Sequence, residues 1–253
     1  MSVRKLHWLD HDAAPFPPTT QAFGADSDAP GLLAAGGRLS VRRLEQAYRQ
    51  GIFPWYSDGQ PVQWWAPDPR MVLPVAEFKL QRSLRKTLGR FLRTPGCELR
   101  IDSAFERVIA NCAGTLRDGQ RGTWIVPAMQ QAYADWHRAG VVHSFETWVH
   151  GRLVGGLYGV GIGSMFFGES MFSHATDASK IALAALVAFC RAHGITLIDC
   201  QQNTAHLKSL GAREIARADF ERHLGLTLGV PGPLRWTYDA SYWARLGPEA
   251  GPA

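Results

Sequence analysis

Cysteine motifs and long apolar runs are both missing from this chain. The four cysteines are scattered and none is in a C-x-x-C pair: Cys97, Cys112, Cys190 and Cys200. Neither a zinc site nor a redox motif is therefore indicated. The longest apolar run, residues 181–190, has ten residues, whereas a membrane-spanning helix needs about 20. No apolar run follows Arg4 and Lys5, which argues against a signal peptide. We expect a soluble, cytoplasmic protein with reduced thiols.

Several catalytic motifs are also missing. The chain has no G-x-S-x-G and no H-E-x-x-H, and its histidines are dispersed, so serine-hydrolase and metal chemistry have no support. The glycine-rich residues 155–163 never satisfy G-x-G-x-x-G. They also lie between predicted strands and do not open a helix, which argues against dinucleotide binding. We predict an activity that needs neither a metal nor a cofactor.

Acidic residues are missing from one fifteen-residue stretch. The whole chain is ordinary in composition, with 253 residues, 46% apolar, 19% charged and a net charge of +5. Residues 79–93 carry six cations and no acid, and their leucines recur at helical spacing. This pattern predicts a basic amphipathic helix. A solvated surface helix is the ordinary interpretation, but the missing acids favour contact with phosphates. The candidate cations are Lys79, Arg82, Lys86 and Arg90.

The order of predicted elements indicates an α+β fold. Residues 1–30 are expected to be irregular, and Ser40 is expected to cap a helix over 41–50. A stiff connector with Pro67 and Pro69 separates a small N-terminal domain (1–65) from a main domain (66–253). Strands are predicted at 97–101, 141–150, 153–160, 164–167 and 195–200. Helices are predicted at 103–112, 127–139, 178–193 (capped by Asp177), 204–210 and 219–224. Such an order predicts a mixed sheet flanked by helices, followed by a loose tail from Gly247.

Polar residues among apolar ones mark residues 165–201 as the first place to look for a site. Asp199 and Gln201 are two apart on a predicted strand, so their side chains should leave one face near its C-terminal end. Cys200 should point the other way, which argues against a thiol nucleophile. An equally open interpretation is that Asp199 caps a loop and Gln201 is a surface residue.

Tryptophans are the other unusual feature, nine in all. Four lie in segments predicted as loops: Trp55, Trp64, Trp65 and Trp124. Tryptophan usually packs in a core. Beside a basic surface, however, a loop tryptophan can stack an unpaired base, at about 1–3 kcal/mol per base.

With these residues assembled, the sequence resembles the leucyl/phenylalanyl-tRNA–protein transferase family. The matching segments are GLLA and GG within 31–37, GIFPW at 51–55, WW and PDPR within 64–70, GTWI at 122–125, VGG at 154–156, FGESMFS at 167–173, ASK at 178–180 and LIDCQ at 197–201. The resemblance implies a small N-terminal domain followed by a GNAT-like acyltransferase domain. It also implies that Trp55 and Trp124 hold the terminal adenosine of the tRNA.

An apolar pocket for the transferred amino acid is a second implication of the resemblance. The positions carried over are Leu157, Met171, Leu183, Leu186 and Ile198, with Phe166 as a further substrate-binding residue. Leu157 stands where Met is familiar and Leu186 where Phe is, so the pocket's shape should differ. Strict alternation puts Ile198 on the face opposite Asp199. Either the strand departs from regular geometry at Ile198, or the pocket extends around the end of the strand.

The implied activity is transfer of Leu or Phe, and less well Met, from aminoacyl-tRNA to the N-terminal Arg or Lys of acceptor proteins, which marks them for N-end-rule degradation. We expect the Gln201 carbonyl oxygen to aim the attacking amine, Asp199 to orient that amide, and Glu169 to hold the acceptor's basic side chain. We expect the protein to be a monomer that does not associate with a membrane.

Two alternatives belong to other classes. A coenzyme A-dependent N-acetyltransferase would need a glycine-containing pyrophosphate loop, but residues 171–177 contain no glycine, and Asp177 would repel the anion. A non-catalytic RNA-binding module would leave the polar residues of 165–201 unexplained.

Overall fold

The N-terminal part of the chain forms a four-stranded sheet. We analysed a computed structural model, which describes residues 5–115 and 125–247. Its first elements are β1 (His7–Leu9), β2 (Leu32–Gly36), helix α1 (Val41–Tyr48), β3 (Phe53–Pro54) and β4 (Gln63–Trp65). The strand order is β1-β2-β4-β3, with β1 parallel to β2. The expectation of irregular chain over residues 1–30 is therefore wrong for β1, which is too short to show an alternating pattern. Residues Thr19–Gln21 form a 3-10 turn.

Helix α1 begins where the sequence predicts. The Ser40 side chain accepts a hydrogen bond from the Arg43 backbone N–H (3.2 Å), as an N-cap does. The helix ends at Tyr48, two residues before the predicted end. Gly51 has a positive φ of 73°, and the N–H of Ile52 returns to the carbonyl of Ala47. This turn carries the chain directly into β3.

The second sheet has seven strands in the order β11-β5-β10-β9-β8-β7-β6. Its strands are β5 (Arg70–Pro74), β6 (Cys97–Ile101), β7 (Val142–Val149), β8 (Arg152–Ile162), β9 (Met165–Ser173), β10 (Leu197–Gln201) and β11 (Arg213–Ile215). Strand β10 runs parallel to β9, and the other neighbours are antiparallel. Strand β9 extends six residues past the predicted end at 167 because β8 pairs with it along its whole length. The boundary placed after residue 65 stays a prediction.

Helices cover both faces of this sheet. They are α2 (Arg82–Arg93), α3 (Phe105–Ala113), α4 (Pro127–Arg138), α5 (Ala178–His193), α6 (Ala205–Ser209) and α7 (Arg217–Thr227), with 3-10 turns at Val75–Glu77 and Ala240–Leu246. Helices α2 and α5 pack around Phe145 and Leu157, whereas α3 and α4 pack around Tyr158 and Val160. The predicted α+β class, with a mixed sheet flanked by helices beside a small N-terminal domain, is confirmed. Within residues 5–115 and 125–247, no helix is long and apolar enough to cross a membrane.

Candidate active site

A cavity opens where β9 and β10 separate. The two strands pair at Ile198 with Phe166 and at Asp199 with Phe167, and this pairing does not continue beyond Asp199. The cavity has a volume of about 330 Å³. Seven of the predicted substrate-binding residues line it: Trp55, Leu157, Glu169, Met171, Leu183, Leu186 and Ile198. The structure thus brings together side chains that are up to 143 positions apart in the sequence.

One predicted substrate-binding residue is placed away from the cavity, and another lies outside the described residues. Phe166 is completely buried, packs against Trp236 and Phe145, and is not among the residues that line the cavity. Trp124 lies outside the described residues.

A β-bulge interrupts β10 near its C-terminal end. Gln201 has a positive φ of 61°, and the partner register moves from Asp199–Val72 directly to Gln201–Met71. The extra residue, between Asp199 and Gln201, breaks the two-residue alternation, and Cys200 lines the cavity together with them, contrary to the expectation that it points away. Ile198 also lines the cavity; it precedes the bulge and lies where the pairing of β9 with β10 ends. Burial raises the pKa of the Cys200 thiol, which keeps it protonated and a poor nucleophile.

Asp199 is the acidic half of a buried ion pair. The Arg70 guanidinium donates to both of its carboxylate oxygens, at 2.8 and 2.6 Å. Arg70 also lies between the rings of Phe53 and Phe220, 4.7 Å from each ring centroid. Asp199 accepts a further bond from the Gln201 backbone N–H (2.9 Å), so it fixes the bulge. With 0% exposure for Asp199 and 8% for Gln201, the interpretation of Gln201 as a surface residue is wrong.

Glu169 is the centre of a second hydrogen-bond network. It accepts from the Tyr48 hydroxyl (2.7 Å), the Tyr133 hydroxyl (3.1 Å) and the Gln201 side-chain Nε2 (2.8 Å). Burial raises the pKa of Glu169 to about 7, although donation by the two tyrosines opposes the rise, and the charge of Asp199 adds to it. Glu169 is therefore a carboxylic acid that titrates near neutral pH.

The orientation of Gln201 follows from Glu169. An ionised carboxylate can only accept hydrogen bonds, so Nε2 of Gln201 faces it and Oε1 is left as the side chain's acceptor. The prediction that Asp199 orients this amide is wrong: Asp199 holds the backbone of Gln201, and Glu169 holds its amide. These three bonds leave one acceptor position on Oε2, so the predicted contact between Glu169 and the acceptor's basic side chain stays a prediction.

Three residues of the site were missed by sequence reasoning: Arg70, Tyr48 and Tyr133. Arg70 falls within a segment that carries the family resemblance, which was a usable signal, but its partner is 129 positions away. Tyr48 and Tyr133 occupy buried helix positions and have no sequence feature that separates them from core residues.

The predicted basic helix forms, but it starts later than expected. Lys79 lies before α2, where its backbone N–H donates to Leu210 (2.9 Å), so its placement on the helix is wrong. Helix α2 buries Leu84 and Leu88, and its cations Arg82, Lys86 and Arg90 are exposed. None of these three pairs with a carboxylate in the part of the chain that the structure describes. They form an accessible basic surface.

Helix α2 is tied to the start of α5 by Asp177. This residue occupies the N-cap position of α5, but its side chain makes no cap bond, contrary to prediction. It instead accepts from Lys180 (2.8 Å) and from Thr87 of α2 (3.1 Å). The basic surface is thereby held beside the helix that supplies Leu183 and Leu186 to the cavity.

Comparison with known proteins identifies close relatives. The family model described as leucyl/phenylalanyl-tRNA protein transferase matches residues 72–225, and the model of its N-terminal domain matches residues 37–68. A leucyl/phenylalanyl-tRNA–protein transferase from Leptothrix cholodnii is 66% identical, over 98% of this chain and 97% of that protein. One from Methylibium petroleiphilum is also 66% identical, over 97% and 92%.

Solved structures show weaker likenesses, which concern the fold alone. L-PGS from Bacillus licheniformis is 11% identical with a TM-score of 0.37, over 68% of this chain and 53% of that one. A GCN5-related N-acetyltransferase from Kribbella flavida is 10% identical with a TM-score of 0.32, over 68% and 60%.

Proposed function

We propose that this protein, which belongs to the leucyl/phenylalanyl-tRNA protein transferase family, acts on a particular class of acceptor. That class is proteins with an N-terminal Arg or Lys. Family membership makes it an aminoacyltransferase that uses Leu- or Phe-tRNA as donor and a protein as acceptor. We further propose that Met is a poorer donor and that the product is marked for N-end-rule degradation. A cytoplasmic location and a monomeric state stay predictions.

The observation that carries the proposal is the position of Gln201. It lies among the polar side chains that line one part of the cavity, whereas another part has apolar walls that include Leu157 and Leu186. The transferred side chain would occupy the apolar part, which would bring the ester carbon of the donor toward Gln201. Unbranched wall residues such as Met171 adapt readily, and this suits a cavity that accepts Leu, Phe and Met.

The reaction needs no covalent enzyme intermediate, because the donor is already an activated ester. The acceptor's α-amine attacks the ester carbonyl; a C–N bond forms and the bond from carbon to the ribose oxygen breaks. One proton leaves the nitrogen and one is gained by the ribose oxygen. Gln201 Oε1 accepts a hydrogen bond from the amine and aims its lone pair, since orientation alone supplies about 7–11 kcal/mol. Glu169, with its pKa of about 7, receives the proton from the nitrogen.

RNA recognition is proposed at two places. Trp55 lines the cavity mouth, and its ring lies 5.1 Å from that of Trp65 in an edge-on arrangement; we assign it, together with Trp124, to the terminal adenosine. The exposed cations of α2 are assigned to phosphates of the tRNA acceptor stem.

An acetyltransferase reaction would need room for a pyrophosphate at the start of α5. Strand β8 packs closely against that end of the helix, since a Cβ placed on Gly155 would lie 2.5 Å from the Ala178 Cβ. The Ser179 N–H is also taken by the Ser173 hydroxyl (3.3 Å). These contacts favour the aminoacyl donor over coenzyme A.

A transfer assay tests the proposed function. Purified protein is incubated with labelled Leu-tRNA, with labelled acetyl-coenzyme A, and with one acceptor protein prepared with N-terminal Lys, Arg or Gly. We expect label from Leu-tRNA on the Lys and Arg acceptors and not on the Gly acceptor. Acetyl transfer, or equal labelling of all three acceptors, would contradict the proposal.

The role of Glu169 predicts a pH dependence. Its pKa is raised, so the working carboxylate is present above about pH 7 and is lost as the pH falls through that value. Deprotonation of the acceptor amine, which has a pKa of about 7.7–8, causes a second increase of kcat/KM with pH. In Glu169→Gln only the increase due to the amine should remain. The ratio of wild-type to variant kcat/KM should therefore increase between pH 6 and 7.5 and then stay constant. A ratio that does not change with pH removes Glu169 from the proton transfer.

The donor pocket predicts a change in specificity. In Leu186→Ala we expect slower Leu transfer and a Leu-over-Ile ratio at least about fivefold smaller, because the β-branch of Ile no longer clashes; a methylene is worth about 1–3 kcal/mol. The ratio is measured with Leu-tRNA and Ile-tRNA. The matched control is Leu224→Ala, which removes a similarly buried leucine of α7 that does not line the cavity. If both variants show the wild-type ratio, Leu186 does not set donor preference.

The basic surface of α2 predicts a change in salt dependence. Replacing Arg82, Lys86 and Arg90 with Gln should weaken tRNA binding and reduce the log–log salt slope by roughly 2–3, since each phosphate contact releases about one counterion. Binding of a small leucyl-adenosine analogue, which lacks those phosphates, should be retained. An unchanged slope would make α2 a solvated surface only.

A further inference from the structure

A concave basic surface, in addition to the basic surface of α2, lies beside the turn between β7 and β8. Three of the side chains that line it can be positively charged: Arg107 of α3, Arg152 of β8 and His174 after β9. We call it the turn groove; its volume is about 410 Å³. A neighbouring hollow shares Arg152 and His174 and adds His150. No described acidic residue lines either one.

The arginines of the turn groove are available to a ligand. Both are exposed, and neither pairs with a carboxylate among residues 5–115 and 125–247. The guanidinium of Arg107 is held 5.2 Å over the ring of Trp148. His174 is kept at the groove by a contact between its Nε2 and the Asn111 side-chain oxygen (3.2 Å). Cations that have no carboxylate partner among the described residues and that converge on a concave surface favour an anionic ligand.

The turn groove continues the basic surface of α2. The His150 N–H donates to Gly96 (2.7 Å), which places the β7–β8 turn beside the segment that directly follows α2. Arg90 and Arg93 lie in the last turn of that helix. On its other side the groove approaches the cavity, because Met171 of the cavity wall is three residues, or about 10 Å of strand, from His174.

We propose that the turn groove binds backbone phosphates of the donor RNA, as a second contact in addition to α2. This inference rests on the proposed function. Arginine suits the role because its planar guanidinium pairs with phosphate oxygens through two hydrogen bonds. An acidic polypeptide would satisfy the same charges, but continuity with the cations of α2 and closeness to the donor cavity both favour the RNA.

The test removes the two arginines and measures binding before it measures transfer. In Arg107→Gln/Arg152→Gln, Leu-tRNA should bind about three- to tenfold more weakly at physiological salt, with a log–log salt slope smaller by roughly 1–2. KM for Leu-tRNA should rise while kcat at saturation holds. Transfer from the leucyl-adenosine analogue should match wild type.

A matched control removes the same charge elsewhere. Arg235 and Arg245 are exposed, and each is next to residues that pack on the C-terminal half of α5, namely Trp236 on Phe189 and Tyr242 on His193. Helix α5 is about 24 Å long, and the turn groove is at its other end. Arg235→Gln/Arg245→Gln should keep the wild-type salt slope.

Three outcomes would overturn the proposal. The salt slope of tRNA binding could be unchanged in the groove variant, or it could change equally in the control variant. KM could also rise only for the acceptor protein, which would assign the groove to an acidic polypeptide. The binding measurement needs no catalysis. A wild-type protein that transfers nothing, with a slope that still falls in the groove variant, would support the groove and contradict the proposed function.

Discussion

A Gln201→Ala variant will transfer Leu at least about 100-fold more slowly than wild type, because a misplacement of about 1 Å at the reacting centre costs that much. Its affinity for tRNA should stay the same, since we assign Gln201 to the amine and to no part of the RNA. Gln201→Asn keeps the amide but withdraws it by one methylene from Glu169 and the cavity, so it should recover little. Single-turnover rates and tRNA binding, measured on the same preparations, separate the two effects.

The control for Gln201 is Gln131→Ala, which removes the same side chain from an exposed position on α4. It should transfer at the wild-type rate. If Gln201→Ala also transfers at that rate, or if it loses affinity for tRNA as much as it loses rate, Gln201 is not the group that aims the amine.

An Arg70→Met variant will lose about 3–5 kcal/mol of unfolding free energy, because it leaves Asp199 buried and without its cation. In a chain of this size, that corresponds to a fall in Tm of roughly 6–20 °C. Methionine retains apolar bulk between Phe53 and Phe220, so the loss should come mainly from the unpaired carboxylate. Thermal and urea unfolding measure the change.

A second substitution separates the charge effect from general damage. Arg70→Met/Asp199→Asn also removes the unpaired negative charge of Asp199, while the Asn side-chain oxygen can still accept a hydrogen bond from the Gln201 backbone N–H. It should recover at least half of the lost stability. Arg222→Met, which breaks the exposed pair with Asp219, should change stability by less than about 1 kcal/mol. If the double variant is no more stable than Arg70→Met, the pair does not act through its buried charge.

Local patterns allowed most of the framework to be predicted. The helix over residues 178–193 was predicted to the residue, because a sustained apolar pattern ends there at Gly194, which has a positive φ of 73°. Strand β6 was also predicted to the residue. Strand β1 was not, since three residues carry no period and its partner β2 lies 23 positions further along the chain.

The candidate site was predictable only in its composition. The resemblance supplied the apolar walls, and the spacing on the predicted strand supplied the pair Asp199 and Gln201, but sequence reasoning gave the wrong partner for the Gln201 amide. The bulge that turns Gln201 toward Glu169 depends on pairing with β5, far away in the chain. Arg70, Tyr48 and Tyr133 reach the site through tertiary packing, which no short-range pattern encodes.

The most direct measurement is a crystal structure with an adenosine that carries leucine through an amide in place of the reactive ester. The leucyl side chain should lie among Leu157, Met171 and Leu186, with its carbonyl carbon beside Gln201 and the adenine against Trp55. A leucyl group bound anywhere else, or a carbonyl carbon out of reach of an amine held by Gln201, would contradict the assignment of this cavity as the transfer site.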